Sequence, residues 1–355
     1  MLVTTTTAEE VFATLFAEFD ALAAGLATSV RVGSSGLSLR CRASEGAVVQ
    51  MVAAGHGAGP DSPAQADDID VLHLLPQDID PALWPRWGAA YFQEREVEAA
   101  LQGGRYRFHY YDDLGFWQIF DSQRCRGLQL ATAPEALPAW ESGSPLRNFI
   151  HWALLTRGAG LIHAGTLATG GRGVLLAGKG GSGKSGTVLA GLRHGLDSVG
   201  DDYVALVPPA PGHAPGASFH ARAAFGCMKI DPAGAARVDL PAGLTHGKPL
   251  NWQGKYLLPL DAIAGRAQPA DIALTALVLP QITHGTRTRF HPMGPREAFL
   301  ALAPSGVTQI PFARPEMARC CAEVSRGLPG YRMELGTDPA EIAAALADFI
   351  EEQAS

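Results

Sequence analysis

The stretch GVLLAGKGGSGKSGTVLAGLRH, residues 173–194, decides the fold. Residues 173–177 form an apolar run with the length of a buried strand, and residues 187–194 have the composition and spacing of a helix. Between them, GKGGSGKS at 178–185 fits the phosphate-binding pattern G-x-x-x-x-G-K-[ST]. Small residues let successive backbone N–H groups curl around an anion, and the first turn of the helix adds its partial positive charge. Gly178, Gly180, Gly181, Ser182, Gly183 and Gly186 then make the cradle, Lys184 reaches the β- and γ-phosphates of a nucleotide, and the Ser185 hydroxyl is a ligand for Mg²⁺. A glycine-rich turn is the plain alternative in a chain with 41 glycines, and the correct flanks on both sides weigh against it.

Beyond this helix, SVGDDYVAL at 198–206 sets Asp201 and Asp202 at the start of an apolar strand. Near a phosphate cradle one carboxylate can hold Mg²⁺ while its neighbour faces an incoming acceptor. Adjacent strand residues point to opposite faces, so both can serve one cavity only where the backbone turns, and Gly200 permits a turn. His163, at the end of the apolar run 160–163, is the third candidate; a lone histidine there is more often a core residue. Arg222, Lys229 and Lys255 are candidates to close positive charge over a transferring phosphoryl group, against the ordinary reading of basic residues as solvated surface. The segment 243–254, bounded by glycines, reads as a loop able to order over a substrate.

Farther from the cradle the chain reads as two domains, which 355 residues comfortably allow. Residues 1–140 form a smaller α+β domain for substrate or partner binding, and 145–355 the nucleotide-binding domain, with the boundary in the proline-bounded segment 138–145. In the first, 9–22 has helical spacing; 29–32, 37–41 and 47–53 read as strands; 105–111 and 115–121 read as a hairpin whose aromatics (Tyr106, Phe108, Tyr110, Phe116, Trp117) belong to a sheet core rather than a binding platform. In the second, a helix at 146–157 precedes strands at 160–163 and 166–169. Further strands are expected at 274–279 and 286–291, and helices at 295–302, 315–326 and 339–352, each opened by a favourable early proline. Segments 55–68 and 208–216 read as loops by composition. The closely spaced strands around the cradle indicate a mixed sheet rather than plain βαβ alternation.

A net charge of −7 argues against a protein held to nucleic acid by phosphate contacts, although a local basic pocket is compatible with it. Five cysteines without C-x-x-C spacing indicate neither a disulfide framework nor a zinc site, and His246, His284 and His291 lack metal spacing. No G-x-S-x-G elbow marks a serine hydrolase. With no basic, apolar leader and no bilayer-length apolar run, the expectation is a cytoplasmic protein without membrane or nucleic-acid partners; a homo-oligomer stays open.

The segment LIHAGTLATGGRGVLLAGKGGSGKSGTVLAGLRHGLDSVGDDYVAL, residues 161–206, resembles the core of the HPr serine kinase/phosphorylase family, and most of all its relatives that phosphorylate ribosomal peptides such as lasso peptide precursors. The shared pattern is a His-Gly or His-Ala pair, a P-loop, and Asp-Asp after the following helix. The resemblance implies an α/β P-loop core with a mixed sheet, related to phosphoenolpyruvate carboxykinase, working on ATP with Mg²⁺. It also implies Asp201 as the base toward a serine hydroxyl, Asp202 and Ser185 as the Mg²⁺ ligands, and His163 as support for Asp201 or for the transferring group; which aspartate takes which task the sequence leaves open. Gly186 stands where bifunctional members carry Glu, and their Arg-Gly-rich signature is missing, which implies a kinase without phosphorylase activity. The expected function is transfer of the γ-phosphoryl group to a hydroxyl, a serine by resemblance, of a peptide or small protein. The alternatives are a non-catalytic ATP-binding regulatory module or a small-molecule kinase.

Overall fold

The computed structural model describes residues 5–57, 68–85, 101, 104–209, 218–241, 243–311 and 314–354. The chain divides into two compact units, Met1–Thr156 and Arg157–Ser355. The division falls after the helix Arg147–Leu155 rather than within 138–145, because that helix is buried on nearly every side and packs in the first unit, with Phe149 and Trp152 against Phe120.

The first unit is a six-stranded mixed sheet: β1 (Thr28–Ser34), β2 (Leu37–Ala43), β3 (Ile69–Leu74), β4 (Tyr106–Tyr111), β5 (Phe116–Asp121) and β6 (Arg126–Leu130), in the order β1-β2-β3-β6-β5-β4. The expected hairpin is present as β4 and β5, and Tyr106, Phe108, Phe116 and Trp117 are buried as sheet core. The single helix expected over 9–22 is two, Thr5–Ala17 and Phe19–Gly25. Segment 47–53 is not a strand. It lies in the helix Gly46–His56, where Val48, Val52 and Gly55 are buried at helical spacing, so the valines serve one helix face and not a pleat. The loops expected at 55–68 and 208–216 fall mostly outside the described residues.

The second unit is built on an eight-stranded mixed sheet containing β7 (Gly160–Ile162), β8 (Gly165–Thr169), β9 (Arg172–Leu176), β10 (Val204–Val207), β11 (Phe219–Ala223), β14 (Asp271–Ile282), β15 (Arg289–Met293) and β16 (Gly330–Leu335). Strands β12 (Cys227–Ile230) and β13 (Tyr256–Pro259) form a separate two-stranded antiparallel sheet. The long central β14 runs parallel to the P-loop strand β9 and to β16, and antiparallel to β11. Both faces of this sheet are covered, which is why its central strands read as continuous apolar runs. Alternation assigns the sides. Val174, Leu176, Ala276 and Val278 pack with the P-loop helix Lys184–Arg193 and the helix Pro339–Ala354. Leu175, Ala177 and Leu277 pack with the helices Pro295–Gly306 and Arg314–Gly327.

Glycines let the cradle sit tightly on this frame. A Cβ at Gly191 would lie 2.4 Å from Leu167 Cδ2, so the P-loop helix approaches β8 at a distance only glycine allows. Among the described residues no helix is long and apolar enough to cross a membrane.

Candidate active site

Between β9 and the helix Lys184–Arg193, the loop 178–183 turns through left-handed conformations at Gly178, Gly181 and Gly183 (φ 133°, 78° and 104°), which side chains rarely adopt. At Gly183 a Cβ would also lie 2.4 Å from Leu335 Cδ1. The Lys184 side chain is folded into the loop, its Nζ donating to Gly178 O at 2.6 Å and Lys179 O at 3.2 Å. Burial holds its pKa below the usual lysine value against the opposing pull of Asp201 and Asp202. Ser182 Oγ is buried without a hydrogen-bond partner. A cradle of donors with a buried hydroxyl in it fits a polyphosphate.

The two aspartates precede β10 instead of opening it. The turn that carries them is pinned by Thr166 on β8 and by its own Ser198: Thr166 Oγ1 accepts from Val199 N at 3.0 Å, Gly200 N donates to Ser198 Oγ at 3.1 Å, and Thr166 N donates to Gly200 O at 3.0 Å. Gly200 has no room for a side chain, since a Cβ there would lie 2.8 Å from Val204 Cγ1. Asp202 takes a left-handed backbone (φ 78°), a conformation that aspartate tolerates better than most residues at a cost of about 1–3 kcal/mol. The consequence is that both carboxylates line one cavity of about 590 Å³ together with Lys184, Ser185, His163 and Lys229.

Their surroundings differ. Asp201 is 3% exposed and hydrogen-bonded by Ser185; burial, reinforced by the charge of Asp202, pushes its pKa up to about 6 against the opposing effects of Ser185, His163 and Lys184. Asp202 accepts from His163 Nε2 at 2.9 Å on Oδ1 and from Lys229 Nζ at 2.7 Å on Oδ2. Burial alone would raise its pKa; the His163 hydrogen bond and the Lys229 charge overcome that and hold it well below the ordinary carboxylate range. In contact terms, then, Ser185 partners Asp201, and His163 partners Asp202. The cause is the turn at 200–202, which sends Asp201 toward the P-loop helix and Asp202 toward β7 and β12.

The sequence motif around His163 acquires a reason here. Gly165 sits where a Cβ would lie 2.7 Å from Val188 Cγ2 and 3.1 Å from Asp201 Oδ1, so the chain after His163 must be bare for helix and carboxylate to close in.

Of the three basic candidates, Lys229 and Lys255 line the cavity. Arg222 does not: it lies on β11 and is tied to Asp271 at 2.7 Å, half in solvent beside His220. Residues that sequence reasoning missed also border the cavity, among them Asp231, Arg237 and Ile282, and Gln253 of the segment 243–254 joins them. Asp231 had a readable local signal as the N-cap of the helix Pro232–Ala235, accepting from Gly234 N at 2.7 Å, but nothing local announced its proximity to the P-loop.

The oxygen donors Ser185 and Asp201 suit Mg²⁺, which commonly uses one or two protein ligands beside phosphate and water. Among the described residues no group of three or more His, Cys, Asp and Glu forms a metal cage.

No protein-family model matches the chain, and no curated protein matches it. Among solved structures it is similar to the HPr(Ser) kinase/phosphatase from Coxiella burnetii, at 13% identity and a TM-score of 0.31, covering 55% of this chain and 99% of that one.

Proposed function

We propose that the chain is an ATP- and Mg²⁺-dependent kinase that transfers the γ-phosphoryl group to a hydroxyl, that of a serine on a peptide or small protein, without running the reverse phosphorylase reaction. The observation that supports it best is the unequal setting of two adjacent carboxylates in the cavity of the phosphate cradle. A binding module needs one acid for a metal. A transferase needs a second, ionised one that faces the acceptor.

We assign Asp201 to the metal, on the strength of its burial and its hydrogen bond with the P-loop serine. Ser185 and Asp201 would hold Mg²⁺, whose charge would offset the negative charge that the loose transition state spreads over the phosphate oxygens. We assign Asp202 to the acceptor. His163 and Lys229 each use one lone pair of its oxygens, and the remaining lone pairs can accept the acceptor hydroxyl. The acceptor oxygen bonds to the γ-phosphorus as the bond from that phosphorus to the β–γ bridging oxygen breaks; ADP leaves with the electron pair, and the hydroxyl proton passes to Asp202. So strongly ionised a carboxylate is a weak base and a good positioner, which suits a transition state that releases its proton late. Lys184, Lys229 and Lys255 line the same cavity, where their charge would stabilise the transferring phosphoryl group more than bulk water does. The peptide serine follows from the resemblance of residues 161–206, and the missing Arg-Gly-rich signature supports a one-way reaction.

The test is transfer of label from γ-labelled ATP to serine-containing peptides. Asp202→Asn should keep Mg²⁺–ATP binding within a few-fold and lose transfer at least 100-fold, whereas Asp201→Asn should weaken metal-dependent nucleotide binding itself. Undiminished turnover in Asp202→Asn would remove the acceptor-side assignment, and a wild-type protein that binds ATP but labels no peptide would make this a binding module.

A further inference from the structure

Off the phosphate cavity opens a second one, of about 380 Å³, and the two share Gly183, Gly186, Gly234, Arg237 and Ile282 as walls. It runs along one face of the P-loop helix. Gly183, Gly186, Thr187 and Ala190 follow each other at helical spacing, so the floor is made of consecutive turns carrying small side chains. Facing them are Val238, Leu335 and Ile342, all apolar, with Thr337, His284 and Arg237 also bordering the slot.

This slot is prebuilt. Glu341 accepts from Thr288 N at 2.7 Å and from Thr288 Oγ1 at 2.8 Å, and that hydroxyl accepts from Gly336 N at 3.2 Å, which fixes the turn carrying Thr337. Arg237 Nη2 donates to Thr337 O at 3.0 Å, joining the two sides of the slot. Thr187 Oγ1 is spent on Gly183 O at 2.9 Å, so the helix side offers little unsatisfied polarity.

Direction decides what such a slot is for. Asp201, Asp202, His163, Lys229, Gln253 and Lys255 border the phosphate cavity and not the slot. A triphosphate whose reacting end lies at Asp202 therefore has its other end toward the shared walls at Gly186 and Arg237. Continuous with that end is a largely apolar cleft of the size small-molecule sites have, with Thr337, His284 and Arg237 at its border. The acceptor must approach from the side of Asp202, so it does not compete for this space.

We infer that the cleft formed by Thr187, Ala190, Val238, Leu335, Thr337 and Ile342 is the nucleoside site of this chain, taking the base and ribose of a purine nucleoside triphosphate. The inference rests on the nucleotide reading above and goes beyond it by giving selectivity to residues outside the P-loop motif.

Calorimetric titration with two ligands, Mg²⁺–ATP and Mg²⁺–tripolyphosphate, separates the two halves of the cleft. Wild-type protein should bind ATP at least tenfold more tightly than tripolyphosphate. Ala190→Leu, which fills the floor, and Thr337→Trp, which closes the exposed rim, should each remove most of that advantage while leaving tripolyphosphate affinity within about twofold. Retained tripolyphosphate binding also shows that a variant is folded; if Ala190→Leu loses it, Thr337→Trp decides. Equal loss of both ligands in Thr337→Trp, no loss of either, or a wild type that binds both equally would overturn the slot alone. A wild type that binds neither would overturn it together with the nucleotide reading. Discrimination as expected without any peptide labelling would leave the slot standing and remove the kinase.

Discussion

Replacing Asp201 by asparagine should make the metal-free protein more stable, although it removes a group placed at the centre of the site. The carboxyl is 3% exposed and its pKa is raised from 3.8 to about 6 on folding, by burial first and by the charge of Asp202 second. Each pKa unit corresponds to about 1.4 kcal/mol, so ionising Asp201 in the folded state costs up to about 3 kcal/mol relative to the unfolded chain. The sign follows from proton uptake. Between pH 4 and 6 the folded state holds this proton more tightly than the unfolded state, so stability falls as pH rises through that window and stays reduced above it. The substituted asparagine has nothing to ionise, and its amide oxygen can still accept the Ser185 hydroxyl. At pH 8 the variant should therefore exceed wild type by about 2–3 kcal/mol, or about 4–12 °C in Tm for a unit of this size, and the difference should vanish toward pH 4. Millimolar Mg²⁺ should raise the Tm of wild type and leave that of the variant nearly unmoved, because the cation favours the same ionised form that burial opposes. Urea unfolding from pH 4 to 8, with EDTA and with Mg²⁺, measures all of this. An asparagine variant no more stable than wild type at pH 8, or a difference independent of pH, would refute the reasoning.

Three other perturbations probe the same frame. Lys229→Met strips one of the two partners of Asp202 and one cation from the cavity, so phosphoryl transfer should fall at least tenfold at every pH from 6 to 8 while Mg²⁺–ATP still binds; undiminished transfer would contradict it. Gly165→Ala places a methyl 2.7 Å from Val188 Cγ2 and 3.1 Å from Asp201 Oδ1, and should lower stability by about 1–3 kcal/mol in urea while weakening Mg²⁺-dependent ATP binding. Arg222→Ala breaks an ion pair whose members are 42% and 38% exposed, and should change the urea midpoint by less than about 1 kcal/mol and leave transfer unaltered.

The sequence carries much of this site on its face because its chemistry is local. A phosphate cradle needs glycines at fixed offsets between a strand and a helix, and residues 173–194 supply them in one unbroken run. The central strands could be read because both their faces are buried, as Val174 and Leu175 show by packing on opposite sides of β9. Where local pattern is ambiguous, reading fails. The valines of 47–53 are as compatible with a strand as with a helix, and only their burial at positions 48 and 52 settles the matter. Arg222 and Lys229, seven residues apart, look alike as cations, yet β11 carries one to Asp271 while β12 carries the other to Asp202.

By itself the sequence determined that a glycine loop at 178–183 joins a buried strand to a helix, that two acids and a histidine lie near it in the chain, and that a mixed apolar sheet supports them, since backbone conformation and burial pattern follow from residue type and spacing. Tertiary structure alone decided that Asp201 meets Ser185 while Asp202 meets His163 and Lys229, and that Val238, Thr337 and Ile342 come together beside the P-loop helix. Those contacts join segments far apart in the chain, and their partners are set by how the sheet and its covering helices pack, which no local pattern encodes.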